Sequence, residues 1–167
     1  PHLGFNRVDG GQFGLATTVS RAGLILSGFA QYYSAAKRWG KGAEVRLQPS
    51  CCTWFGQAGW RDQTAAVGSG SIYAQQMAAA ATLLGRADYF DYYHNREWQA
   101  AIGQQIKKYH LSWSTGITGA RHRSLAKTTD FSIIRRSDSK RLNPAVADGR
   151  YNRLQLRVAW GDNENTL

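Results

Sequence analysis

The residue types that usually carry enzyme chemistry are present in this chain, but they are not grouped for it. His2, His94, His110 and His122 are scattered, and no two stand at a ligand spacing, so they read as solvent or interface histidines rather than a metal centre. Asp88 and Asp91 could act as an acid and base pair, yet they sit among Tyr and Phe, where a hydrogen-bonding cluster at a strand end is the better reading. Serine is abundant, but no Gly-x-Ser-x-Gly elbow exists to activate one. Gly68-Ser69-Gly70 lacks the Lys-Ser/Thr that completes a phosphate loop. Cys51 and Cys52 are adjacent, which is poor geometry for a bridge between distant elements, and on a strand they would point to opposite faces. The expectation is a non-enzymatic chain with no cofactor and no metal.

The chemistry that the spacing does support is that of surfaces. In Tyr151–Trp160, Leu154, Leu156, Val158 and Trp160 alternate with Arg153, Gln155 and Arg157. Strand side chains alternate with period two, so this segment has one face for an apolar medium and one for water. Ala43, Val45 and Leu47 alternate in the same way with Glu44, Arg46 and Gln48. Cys52, Trp54, Gly56, Ala58 and Trp60 alternate with Phe55, Gln57 and Arg61, and Leu111, Trp113, Thr115 and Ile117 with Ser112, Ser114 and Gly116. A transmembrane β-barrel, with lipid outside and a polar lumen inside, is the architecture such alternation serves.

Composition agrees with that architecture. Among 167 residues, 18 are Gly and only 3 are Pro, while aromatic residues make up 12%. Glycine suits curved β-structure, and aromatics suit the girdles of a barrel. A mean hydropathy of −0.46 is no objection, because half of each barrel strand is polar. The net charge of +10 raises nucleic acid as a partner, through phosphate contacts. The basic residues form no dense run, however, and on the last strand they lie opposite the apolar row instead of beside an aromatic platform. No nucleic acid is therefore expected. Met77 is the only methionine and the chain opens at Pro1, which points to a processed chain or a portion of a longer one.

Read in order, the pattern predicts a meander of strands at Gln12–Ser20, Leu24–Ala35, Ala43–Gln48 and Cys51–Arg61, with charged turn residues at Lys37–Lys41. Ser71–Leu84 reads as a helix, capped by Ser71 and followed by Gly85, inserted between strands to plug, cap or flank the barrel. Strands resume at Trp98–Ile106 and Leu111–Thr118, joined through Lys107-Lys108. Arg121–Arg150 reads as a long basic loop, with a possible strand extension at Phe131–Ile134 and turns at Ser137-Asp138 and Asn143-Pro144. The last strand is Tyr151–Trp160, followed by a turn at Gly161–Asn165. The fold class expected is all-β: an antiparallel meander of six to eight strands forming part of a transmembrane β-barrel, with one helical insert, over residues 1–167.

Four stretches carry a family resemblance. Phe5-Asn6-Arg7-Val8-Asp9-Gly10 resembles the opening found where the barrel begins in the bacterial surface-antigen superfamily. Those are the outer-membrane assembly and translocation barrels, including Bacteroidetes-type proteins with carboxypeptidase-regulatory-like N-terminal domains. Asp88–Tyr93 followed by Trp98, Ser124–Ser132, and Arg141–Arg150 resemble further stretches of the same barrels, in the same order. Two features depart from the pattern: the chain supplies fewer strands than those barrels have, and no (V/I)RGF motif is present.

The resemblance implies a bacterial outer-membrane location and a part in inserting or moving proteins or lipids, through a weak seam whose edge pairs with an incoming strand. Gln12–Ser20 would supply that edge. The expected partners are outer-membrane lipid or lipopolysaccharide, the remaining barrel strands from the same or another chain, and other envelope proteins. The alternation assigns Val45, Leu47, Trp54, Trp113, Leu154 and Leu156 to lipid and Glu44, Arg46, Arg61, Arg153 and Arg157 to the lumen. Arg135, Arg136, Lys140 and Arg141 form the basic heart of the long loop and are expected to meet an anionic surface. Two alternatives stay open. One is a passive pore or structural barrel subunit, whose arginine-lined lumen would favour anions. The other is a soluble basic RNA-binding β-protein.

Overall fold

A computed structural model of the chain describes residues 2–49, 53–67, 72–84, 90–133 and 142–160. It is all-β, with one short helix. The strands are β1 (His2–Asn6), β2 (Gly10–Arg21), β3 (Leu24–Tyr33), β4 (Arg38–Leu47), β5 (Trp54–Ala66), β6 (Tyr92–Ile106), β7 (Leu111–Ser124) and β8 (Gly149–Trp160). They form a single eight-stranded sheet in sequence order, every neighbouring pair antiparallel. Among the described residues the sheet is open: β1 and β8 do not pair.

The meander follows from its turns. Ala22 and Gly23 both take positive φ, 48° and 81°, the conformation of a two-residue hairpin loop whose twist matches the flanking strands. The β3–β4 turn ends at Lys37, with φ of 48°, and a short 3-10 turn at Lys107–Tyr109 closes on His110 to join β6 to β7. Close approach fixes two further glycines. A Cβ on Gly103 would lie 2.4 Å from the Phe55 ring and 2.5 Å from the Trp113 carbonyl oxygen, and one on Gly42 would lie 2.4 Å from the Phe29 ring. Each aromatic therefore lies over a glycine of the neighbouring strand. Because the Trp113 oxygen is backbone and cannot swing away, Gly103→Ala is expected to cost about 1–3 kcal/mol. A lowered urea midpoint with an unchanged slope would report it.

Several expected boundaries move. Lys37–Lys41 is not one turn: the turn is 34–37, and Arg38 and Lys41 belong to β4. The second hairpin strand ends at Tyr33 rather than Ala35. The long loop is shorter than Arg121–Arg150, since β7 continues to Ser124 and β8 begins at Gly149. Phe131, Ser132 and Ile133 form no strand. Gln12–Ser20 lies within β2 and is not the first strand, because β1 pairs with Gly10–Gly14 ahead of it. The predicted helix is present as α1 (Ile72–Leu83); it packs on β1, and Ala79 lines one end of the sheet's polar face. Cys51, Cys52, Gly68-Ser69-Gly70, Ser71, Gly85, Asp88, Ile134, Ser137-Asp138, Gly161–Asn165 and the basic residues Arg135, Arg136, Lys140 and Arg141 lie outside the described residues.

Candidate functional site

The register sorts the strand side chains onto two faces. Directly opposed residues of an antiparallel pair share a face. Leu3 opposes Phe13, Val19 opposes Leu26, Leu26 opposes Val45, and Leu24 opposes Leu47. The series continues through Leu47–Gly56–Ile102–Thr115–Leu156, through Trp54–Gln104–Trp113–Val158, and through Ala100–Ile117–Leu154. Val45, Leu47, Trp54, Trp113, Leu154 and Leu156 thus share one face from β4 to β8. Of the large apolar side chains that are exposed on strands, all but Tyr151 lie on it, with Leu154 at 77% and Leu156 at 72%. Such contiguous exposure far exceeds the scattered apolar residues of a typical water-facing surface.

The opposite face is polar. Glu44, Arg46 and Arg61 share it through the pairings Arg46–Gln57 and Gly42–Arg61, and Arg153 and Arg157 reach it opposite Thr118 and Ser114. Arg61 Nε stands 3.6 Å from Glu97 Oε1, and the Arg46 guanidinium lies 5.9 Å from the Phe55 ring centroid. A groove of about 290 Å³ runs along this face, lined by Thr18, Ser27, Glu44, Arg61, Gln63 and Gln99 among others. Arg153 and Arg157 are not gathered into it; they stay exposed on β8.

At one end of the sheet, segments far apart in sequence tie into a buried knot. Asn6 Oδ1 accepts from the amides of Val8 (2.8 Å) and Asp9 (2.6 Å), an Asx-type turn built from a short polar side chain. Arg7, Val8 and Asp9 are essentially inaccessible to solvent. The Asp9 carboxylate accepts from Asn6 (3.1 Å), Gln12 (3.2 Å), Arg38 (3.2 Å) and Thr64 (2.8 Å). Arg7 donates to Asp91 (3.4 Å) and Asn143 (3.3 Å), with its guanidinium 5.5 Å from the Tyr92 ring centroid. The Arg7 carbonyl accepts from the amides of Thr128 and Thr129, and the Thr128 hydroxyl donates to the Val8 carbonyl. Asn143 clamps the start of β6 by accepting from Tyr92 N (2.8 Å) and donating to Tyr92 O (2.7 Å).

The knot therefore joins residues from all four stretches that carry the family resemblance. It does so by hydrogen bonds and burial, and among the described residues no three His, Cys, Asp or Glu side chains gather as a metal site would require. Asp91, read as part of a hydrogen-bonding cluster, lies in it. Arg38 and Thr64, which complete the Asp9 site, were not expected from the sequence. The charge of Arg38 suggests a turn residue, whereas it opens β4.

The edges complete the site. β1 covers only Gly10–Gly14 of β2, so Leu15–Arg21 has no strand on its outer side, and neither does β8, among the described residues. Such edges present rows of unpaired backbone donors and acceptors. No protein-family model, no curated protein and no solved structure matches this chain.

Proposed function

We propose that this sheet is a segment of an outer-membrane β-barrel that takes part in inserting or translocating proteins or lipids. The observation that carries the reading is the single apolar face, exposed and continuous across eight strands, backed by a polar one. In water such a face would be an aggregation hazard; against acyl chains it is the outer wall of a barrel. The dimensions are close. Along β6 the apolar side chains run from Trp98, next to the charged Arg96, to Ile106; at ~3.4 Å per residue and a ~40° tilt this rises ~21 Å, against the ~25 Å apolar band of such barrels. The free edges at Leu15–Arg21 and β8 fit the transport half of the proposal. In lipid each unpaired group costs several kcal/mol, so these edges demand further barrel strands or an incoming one.

Spin labels test the lipid-facing assignment. In a background with Cys51 and Cys52 changed to Ser, single cysteines at Leu26, Ile102 and Leu156 are expected to be reached by oxygen from the bilayer in phosphatidylcholine vesicles. Cysteines at Gln57, Gln99 and Arg157 are expected to be reached by a water-soluble nickel complex instead. Equal access of the nickel complex to both sets would sink the barrel reading. Photo-crosslinkers at Thr17 and Gln155 address transport separately: adducts with a client strand are expected, and adducts with barrel strands alone would leave a passive barrel.

A further inference from the structure

A line of charge closes the apolar face at the end that carries the knot. Lys41, Asp62, Arg96, Arg121 and Arg150 are register partners in succession from β4 to β8. They lie in one row on the apolar face, with directly opposed side chains starting about 5 Å apart. His94 and Arg123 oppose each other in the adjoining row. On the other side of the line, Trp60 opposes Trp98, and Lys41 Nζ is 5.9 Å from the Trp60 ring centroid.

The single carboxylate of the line is already engaged: Asp62 binds Arg96 at 3.1 Å and His94 at 2.5 Å. Arg121, Arg123 and Arg150 are exposed and meet no carboxylate among the described residues. Arg121 and Arg150 stand directly opposite each other, an arrangement of like charges that destabilises a strand pair.

We infer that Arg121 and Arg150, flanked by Arg96 and Arg123, bind the phosphate of an anionic lipid headgroup. The inference rests on the lipid-facing reading of the apolar face. Two adjacent guanidinium forks match a phosphate group, which accepts from both and removes their repulsion. The Trp60–Trp98 pair marks the level at which aromatic side chains meet headgroups. Below the arginines on the same face lie Trp98, Ile117 and Leu154, which would cover the attached acyl chains. A free phosphate ion would meet the same arginines without that apolar anchorage.

The test uses the full chain reconstituted in phosphatidylcholine vesicles carrying a trace of dansyl-labelled phosphatidic acid, with dansyl-labelled phosphatidylcholine as reference. Energy transfer from the native tryptophans reports lipid enrichment next to the protein. Phosphatidic acid is expected to be enriched over phosphatidylcholine. Arg121→Gln with Arg150→Gln is expected to lower that enrichment about tenfold, and the double Lys variant less, because it keeps the charges but loses the forks. An enrichment unchanged in the Gln variant overturns the inference. Abolition by millimolar inorganic phosphate also overturns it, because the site would then take a free anion. Vesicle flotation of the same samples separates the two readings. Protein that floats without lipid preference refutes this site alone, and protein that does not float refutes the barrel reading beneath it.

Discussion

Replacing Leu156 with arginine is expected to prevent stable insertion of the sheet into a bilayer, although the same change would be nearly silent in water. The Leu156 side chain is 72% exposed, so in a water-facing protein it has little packing to lose, and a surface substitution of this kind falls within about 0.5 kcal/mol. In lipid the arithmetic reverses. On β8, Leu156 lies between the Arg150 end of the apolar face and Trp160, near the middle of the band, where an arginine costs about 2–4 kcal/mol. Arg157→Leu, one residue away on the polar face, serves as the matched control and should leave insertion intact. Folding into phosphatidylcholine vesicles, followed by the electrophoretic shift of the heat-untreated protein, measures both. A Leu156→Arg protein that folds and floats like the parent would remove the lipid-facing assignment of β8.

What was legible in the sequence, and what was not, follows from the range of the interactions involved. The two faces of β4, β5, β7 and β8 were readable because period-two alternation is a local property. One register step would move the whole apolar row to the other side, so the pattern also constrains the pairing. The helix over 72–83 was readable from an alanine-rich run without charge. Charge misled wherever a strand crosses out of the apolar band. Arg38, Lys41, Arg121 and Arg123 looked like turn or loop residues, yet each sits on a strand, with Arg38 bound to Asp9 and Lys41 and Arg121 in the charged row. β1 escaped notice because its alternation, Leu3 and Phe5 against His2, Gly4 and Asn6, spans only five residues and its partner is only the first part of β2. The knot was visible as four motifs but not as one object. Its central carboxylate is completed by Arg38 and Thr64, 29 and 55 positions away, and nothing local in either residue announces that contact.

The knot is where a single substitution should cost the most folding energy. Asp9 is fully buried and accepts from Asn6, Gln12, Arg38 and Thr64, so Asp9→Ala leaves these donors, including one cation, facing a cavity. Removing one member of a buried, hydrogen-bonded charge pair typically costs about 3–5 kcal/mol. Arg38 keeps part of its surface in water (23%), which places the expected loss toward the lower end of that range. Asp9→Asn should cost less, because an amide oxygen still accepts from some of the same donors. The damage should also spread along the knot. The Arg7 carbonyl holds the amides of Thr128 and Thr129, and the Arg7 guanidinium reaches Asp91 and Asn143, so the segment after β7 depends on the β1–β2 turn for its anchorage. In Asp9→Ala, hydrogen exchange at Thr128 and Thr129 is expected to accelerate, and protease is expected to cut between β7 and β8 sooner than in the parent. A variant with unchanged unfolding midpoint and unchanged exchange at those two amides would show that the turn is a passive connector, and that the contacts converging on it contribute nothing to holding this end of the sheet together.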